Sequence, residues 1–201
     1  MKTTQKQRLM TTNRIETLVD GIFAIAMTLL VLTLEVPDFP SPVTNATLQA
    51  YLLSISSKFF IYALSFILLA VFWRIHHVQF HNIKKSDSKL IWINVIWVMF
   101  VALVPFSTSL VGDYGSLEVA AVFFNINMFF IGILSFFNWY YAVHHGLMDN
   151  MVIKEYKRHL RLYLLLPVVA IIAILMSFII PAWSQLSFIL ISPFKIINDK
   201  L

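Results

Sequence analysis

The sequence predicts an all-α, polytopic membrane protein, and three observations carry that reading. Of the 201 residues, 59% are hydrophobic and only 12% are charged, against roughly 25% charged residues in a soluble domain. The apolar stretches are long and lack the polar face that a helix on a soluble core presents. They are also continuous rather than alternating. That selects helices over a β-barrel, the other structure that satisfies every backbone group within lipid.

The chain reads as one membrane domain over residues 1–201, with no soluble domain, long linker or internal repeat. Its apolar segments are judged against the roughly 20 residues a helix needs to cross a bilayer. The first covers residues 15–34 and is ended by Pro37, Pro40 and Pro42. The second covers 48–80, with its most apolar part at 59–73. The third, fourth and fifth cover 90–111, 117–143 and 160–180. Pro181 opens a short sixth, interrupted by Ser and Gln, that ends near residue 197. Six transmembrane helices per subunit are therefore expected.

Basic residues set the orientation, because short cytoplasmic segments collect Lys and Arg. Lys2, Lys6, Arg8 and Arg14 precede the first segment. Arg74, Lys84, Lys85 and Lys89 flank the second connection, and Lys154, Lys157, Arg158 and Arg161 the fourth. Lys195 and Lys200 lie at the C-terminal end, and the first, third and fifth connections carry neither Lys nor Arg. This alternation puts both termini in the cytoplasm. Lys58 alone departs from it and is expected to snorkel to the interface. The basic start leads into a long apolar run without a small-residue cleavage site, so no cleavable leader is expected. The net charge of +5 follows this topology rather than a nucleic-acid patch. The absence of cysteine excludes disulfides and thiolate metal sites.

Few motifs suggest chemistry. Gly112-Asp-Tyr-Gly115 invites comparison with a Gly-Tyr-Gly selectivity filter, but Asp113 interrupts the carbonyl ladder such a filter needs. It is read as an outer turn. His77 and His81 have the i, i+4 spacing of metal ligands, yet no nearby carboxylate completes a set, and interfacial or hydrogen-bonded His is the plainer reading. Trp139, Tyr140 and Tyr141 are placed in an aromatic belt. Serine-hydrolase, zinc-protease and phosphate-loop patterns are missing, so an enzyme is not expected, and neither is a cofactor.

The first segment carries the strongest signal. Asp20 lies in a stretch otherwise fit to span a bilayer, where a carboxylate costs about 2.5–3.5 kcal/mol on insertion scales. It needs a partner, a water path or both. On a wheel of about 100° per residue, Ile25, Thr28, Leu29 and Leu32 share one stripe. Such a stripe serves either packing or pore lining. As packing, the Thr28 hydroxyl would bond back to a carbonyl one turn earlier. Arg14 and Asp20 lie about 120° apart on that wheel. They are expected to pair with other helices, with His76 and Asn94 as the best candidates.

At this point the residues resemble a known family. Arg14-x-x-x-Leu18-Val19-Asp20 is similar to the Arg-x-x-x-Phe-Ser-Asp signature of the prokaryotic branch of the lysosomal potassium channel family, transmembrane protein 175. Trp73-x-x-His76 with Phe80, Asp87 followed by Asn94, and Leu103-Val-Pro105-Phe-Ser-Thr-Ser109 resemble its second and third helices. Leu18-Val19 stands where the family has Phe-Ser, so a hydroxyl is missing here.

The resemblance implies a homotetramer in a prokaryotic plasma membrane, with helix one lining a central pore. It implies a potassium-preferring cation channel without a carbonyl filter, whose constriction is formed by Ile25, Leu29 and Leu32. Thr28 would shape selectivity. Arg14, Asp20, His76 and Asn94 would form an inner polar network. The partners implied are further copies of the chain, membrane lipids and monovalent cations, with K+ as the permeant ion. Two other classes stand beside this reading. One is a secondary transporter using Asp20 and His76 as a proton relay, and the other is a non-conducting scaffold. Broken midplane helices mark transporters, and the first segment is unbroken between Gly21 and Pro37.

Overall fold

The protein is described by a computed structural model over residues 11–148 and 156–190. Lys2, Lys6, Arg8, Lys154, Lys195 and Lys200, and the end of the sixth segment, lie outside the described residues. Helix α1 (Asn13–Leu29) continues into a 3-10 turn at Leu30–Thr33. Together they rise about 33 Å by standard helix geometry, close to the roughly 30 Å hydrocarbon core of a bilayer.

The second expected segment is two helices, α2 (Asn45–Ser54) and α3 (Ser56–Asn82), broken at Ile55. Thr44 caps α2 by accepting from the Thr47 N–H at 3.2 Å, and no residue of α2 is buried. The third segment is also jointed, into α4 (Ser88–Ala102) and α5 (Val104–Tyr114). Pro105 lacks a backbone donor and crowds the carbonyl one turn back, which accounts for the joint. Helix α6 (Glu118–His144) is the long central helix, and α7 (Tyr156–Ser177) follows it.

The described part of the sixth segment is a 3-10 helix over Pro181–Leu190, ten residues long, which rises about 20 Å. Four helical stretches among the described residues are long and apolar enough to span: Asn13–Thr33, Ser56–Asn82, Ser88–Tyr114 and Glu118–His144. Tyr163–Ser177 is a shorter apolar helix.

Helix α6 packs against α4, α5 and α7, and α7 packs against the Pro181–Leu190 segment. Helix α1 lies on the other flank, against α3, α4 and α5. At Gly132 a side chain would meet the Pro167 Cδ at 2.8 Å and the Leu166 Cγ at 2.9 Å, so the missing Cβ sets how closely α6 and α7 approach. The core is aromatic at its centre, with Phe23, Phe72, Phe80, Trp97, Phe124 and Trp139 fully enclosed. Trp139 is therefore no belt residue. It packs on Tyr163 with ring centres 5.2 Å apart, while Tyr140 is exposed.

The two loops at the N-terminal end of α1 are tied together. Ile83 and Met148 form an antiparallel bridge, and the Lys84 N–H donates to the Leu147 carbonyl at 3.0 Å. Helix α6 reaches this tie through a left-handed Gly146 at φ 64°, with the Leu147 N–H returning to the Ala142 carbonyl at 3.0 Å. That 6→1 bond is the Schellman ending glycine permits. Asp87 caps α4 through the Leu90 N–H at 2.9 Å and accepts from the Tyr141 hydroxyl at 2.6 Å.

Candidate functional site

Helix α1 has two faces of opposite character. Ile15, Val19, Phe23, Ala26 and Leu30 are buried and follow the four-, four-, three-, four-residue steps of one helix face. Phe23 meets Trp97 with ring centres 5.6 Å apart. The opposite face stays open along the whole helix. Ile25 is 56% exposed, Leu29 43% and Leu32 66%, and Thr28 lies exposed among them. The predicted stripe thus does not pack against its own subunit. Leu18 joins this open face, whereas Val19 points into the core, where an apolar side chain needs no partner.

Thr28 adds a polar element to the stripe. Its Oγ1 donates to the Ala24 carbonyl at 2.9 Å and the Ile25 carbonyl at 2.8 Å. With its proton directed back into the helix, the hydroxyl oxygen keeps lone pairs on the open side.

The four residues expected to form one inner network are found in three places. Asp20 accepts from the Trp73 indole N–H at 2.8 Å rather than from His76 or Asn94. Trp73 stacks on His77 with centres 5.8 Å apart and planes at 23°. His76 turns the other way, into the bundle, where it is sandwiched between Phe80 at 4.2 Å and Trp97 at 4.9 Å. Its Nε2 lies 3.1 Å from the Asn94 Oδ1, and an amide oxygen only accepts, so that nitrogen carries the proton. Asn94 also donates to the Leu90 carbonyl at 2.8 Å and to the Asn138 Oδ1 at 3.1 Å. Arg14 makes no ion pair with a described residue. It lines a 500 Å³ cleft with Leu18, Ser86 and Ile91. The reason is angular: Asp20 faces α3, and Arg14 lies about 120° round the helix on the open face.

Trp73 as the anchor of Asp20, and Asn138 as the third member of the His76–Asn94 cluster, were not legible as partners. The signal for Asn138 was its place, with Asn125 and Asn127, inside an apolar membrane segment, where polar side chains seek one another. The remaining features resolve as structure. Gly112 to Tyr114 form the last turn of α5, and Asp113 is ion-paired with Lys58, the one basic residue that broke the charge pattern. His145 stacks on Tyr141, and His144 lies tilted against Tyr140. Among the described residues no three His, Asp or Glu gather as a metal site.

Comparison with known proteins reaches the same region. Residues 14–105 match the family model described as endosomal/lysosomal potassium channel TMEM175. That span holds the open stripe of α1 together with Asp20, Trp73, His76 and Asn94. A potassium channel from Chamaesiphon minutus is 33% identical over 152 residues, covering 74% of this chain and 72% of its own. A potassium channel from Chryseobacterium sp. is 29% identical over 145 residues, covering 72% and 67%. The crystal structure of a lysosomal potassium-selective channel TMEM175 homolog from Chamaesiphon minutus superposes with a TM-score of 0.80 at 30% identity, over 93% of this chain and 97% of that one. With its first helix held at Asp20 by Trp73 and its relatives alike in sequence and in fold, the chain belongs to the TMEM175 family.

Proposed function

We propose that the protein is a potassium-preferring leak channel, not an enzyme, and that it works as a homotetramer around the open face of α1. The observation that carries this reading is the exposure of Ile25, Thr28, Leu29 and Leu32 on a helix whose other face is fully packed. Four such faces turned to one axis place rings of Ile and Leu in a pore. Narrow apolar rings expel water, so a small widening admits water and ions together. The Thr28 ring offers four outward hydroxyl oxygens as weak, exchangeable ligands. Selectivity from so few dipoles is modest. The mechanism requires no cofactor, and K+ is the permeant ion.

In the same reading the subunit crosses the plasma membrane of a prokaryote six times, with both termini cytoplasmic. The basic residues at alternate connections support that count. Arg14 stands at the inner mouth of the pore, while the Asp20–Trp73 bond holds α1 against α3. The cluster of His76, Asn94 and Asn138 stiffens the wall behind.

Recording from purified protein in planar bilayers tests the proposal. Discrete unitary currents are expected, with a reversal potential set nearer to potassium than to sodium under bi-ionic conditions. Saturable flux without unitary events would mark a transporter, and no flux at all a scaffold.

A further inference from the structure

A polar-floored cleft opens at the end of the bundle opposite the tied loops. Two hollows of 430 Å³ and 250 Å³ share Ser57, Ile61, Ala182 and Gln185 in their walls and so form one continuous cleft. It lies between the start of α3, the end of α5 and the Pro181–Leu190 segment. We propose that this cleft seats an amine-headed phospholipid of the adjoining leaflet, with its phosphate at the start of α3 and its ammonium at Asp113.

The floor asks for an acceptor. Gln185 is 1% exposed, and its Nε2 has no hydrogen-bond partner among the described residues. A buried amide donor left unsatisfied is costly, and an occupant that brings an oxygen would relieve it once the side chain turns toward the cleft. The same wall holds the N-terminus of α3, a 27-residue helix whose N-cap residue, Ile55, supplies no side-chain bond to the first turn. The leading N–H groups of a helix lack intrahelical partners and favour an anion. The exposed hydroxyl of Ser57 stands on that turn. A phosphate satisfies all three donors.

The rim and walls narrow the choice of phosphate. Lys58 and Asp113 are paired beside the smaller hollow, which Asp113 lines. They present one charge of each sign, the complement of a zwitterion. A primary ammonium donates hydrogen bonds to the Asp113 carboxylate, a choline headgroup has no N–H to give, and a glycerol headgroup has no cation. The larger hollow is walled by Phe60 and Trp183, both exposed. An exposed Trp at this level is typical of the membrane interface, and acyl chains extend over these rings. Free phosphate would leave them uncovered.

Native mass spectrometry of the purified full-length protein decides it. The probes are phosphatidylethanolamine, phosphatidylcholine and phosphatidylglycerol with matched chains. Wild type is expected to retain phosphatidylethanolamine most strongly. Ser57→Ala, on the exposed turn, and Gln185→Leu should each weaken that retention about tenfold, the loss of one charge-assisted hydrogen bond. Asp113→Asn should erase the preference for phosphatidylethanolamine over phosphatidylcholine while both still bind. Equal retention of the three lipids overturns the proposal, as does retention unchanged in both Ser57→Ala and Gln185→Leu. If inorganic phosphate raises the melting temperature as much as phosphatidylethanolamine does, the occupant is free phosphate and the lipid assignment fails.

Discussion

Trp73→Phe isolates one bond at the base of the candidate pore helix. The indole N–H of Trp73 meets the Asp20 Oδ1 at 2.8 Å. Phenylalanine keeps a flat apolar ring against His77 and removes only the donor. A hydrogen bond to a charged group contributes about 1.5–3 kcal/mol. Asp20 lies on an exposed position of the subunit, where water replaces part of what is lost, so the low end of about 1.5 kcal/mol applies. For a chain of this length that corresponds to a melting temperature lower by about 3–6 °C. Thermal unfolding followed by size-exclusion chromatography measures it without relying on tryptophan emission. Because α1 carries the open stripe, the same variant should shorten single-channel openings while leaving the reversal potential in place. Asp20→Ala provides the control: in that background Trp73→Phe should cost nothing further, giving a coupling of about 1.5 kcal/mol. A variant that melts with wild type, or that loses as much stability without Asp20 as with it, refutes the anchor.

Other perturbations reach the stripe and the bundle separately. Thr28→Val removes the hydroxyl oxygen but keeps the shape, and should move the bi-ionic reversal potential toward zero; an unchanged potential would take selectivity away from this position. Leu29→Ala and Ile25→Ser should raise conductance or leak, since a smaller or more polar ring wets more readily, and wild-type currents in both would place the constriction elsewhere. Gly132→Ala forces a Cβ to 2.8 Å from the Pro167 ring; overpacking of this kind costs about 1–3 kcal/mol, read as a lower melting temperature with unaltered selectivity. Asn94→Leu strands the His76 N–H and leaves Asn138 without its partner amide, at about 1–3 kcal/mol for each orphaned group; a variant as heat-stable as wild type would show that the buried cluster adds nothing.

Composition and periodicity were enough for much of this molecule. The continuous apolar runs predict spanning helices, and the first is read at residues 15–34 where the helical stretch is Asn13–Thr33. The stripe of Ile25, Thr28, Leu29 and Leu32 is also legible, because residues three, four and seven apart must share a side of any helix. What a wheel does not hold is the identity of the neighbour on each side. The same stripe serves packing or a pore, and only the burial of Ile15, Val19, Phe23, Ala26 and Leu30 on the opposite face shows which side the subunit leaves open. Asp20 announced that it needs a partner. That the partner is Trp73 depends on the placement of α1 against α3, which turns His76 inward to Asn94 and Asn138. The pairing of Lys58 with Asp113 joins residues far apart in the chain, each explained separately until the helices were packed. Helix propensity and face are local and so written in the chain; partners, joints and clefts arise where two elements meet, and the packed bundle alone decides them.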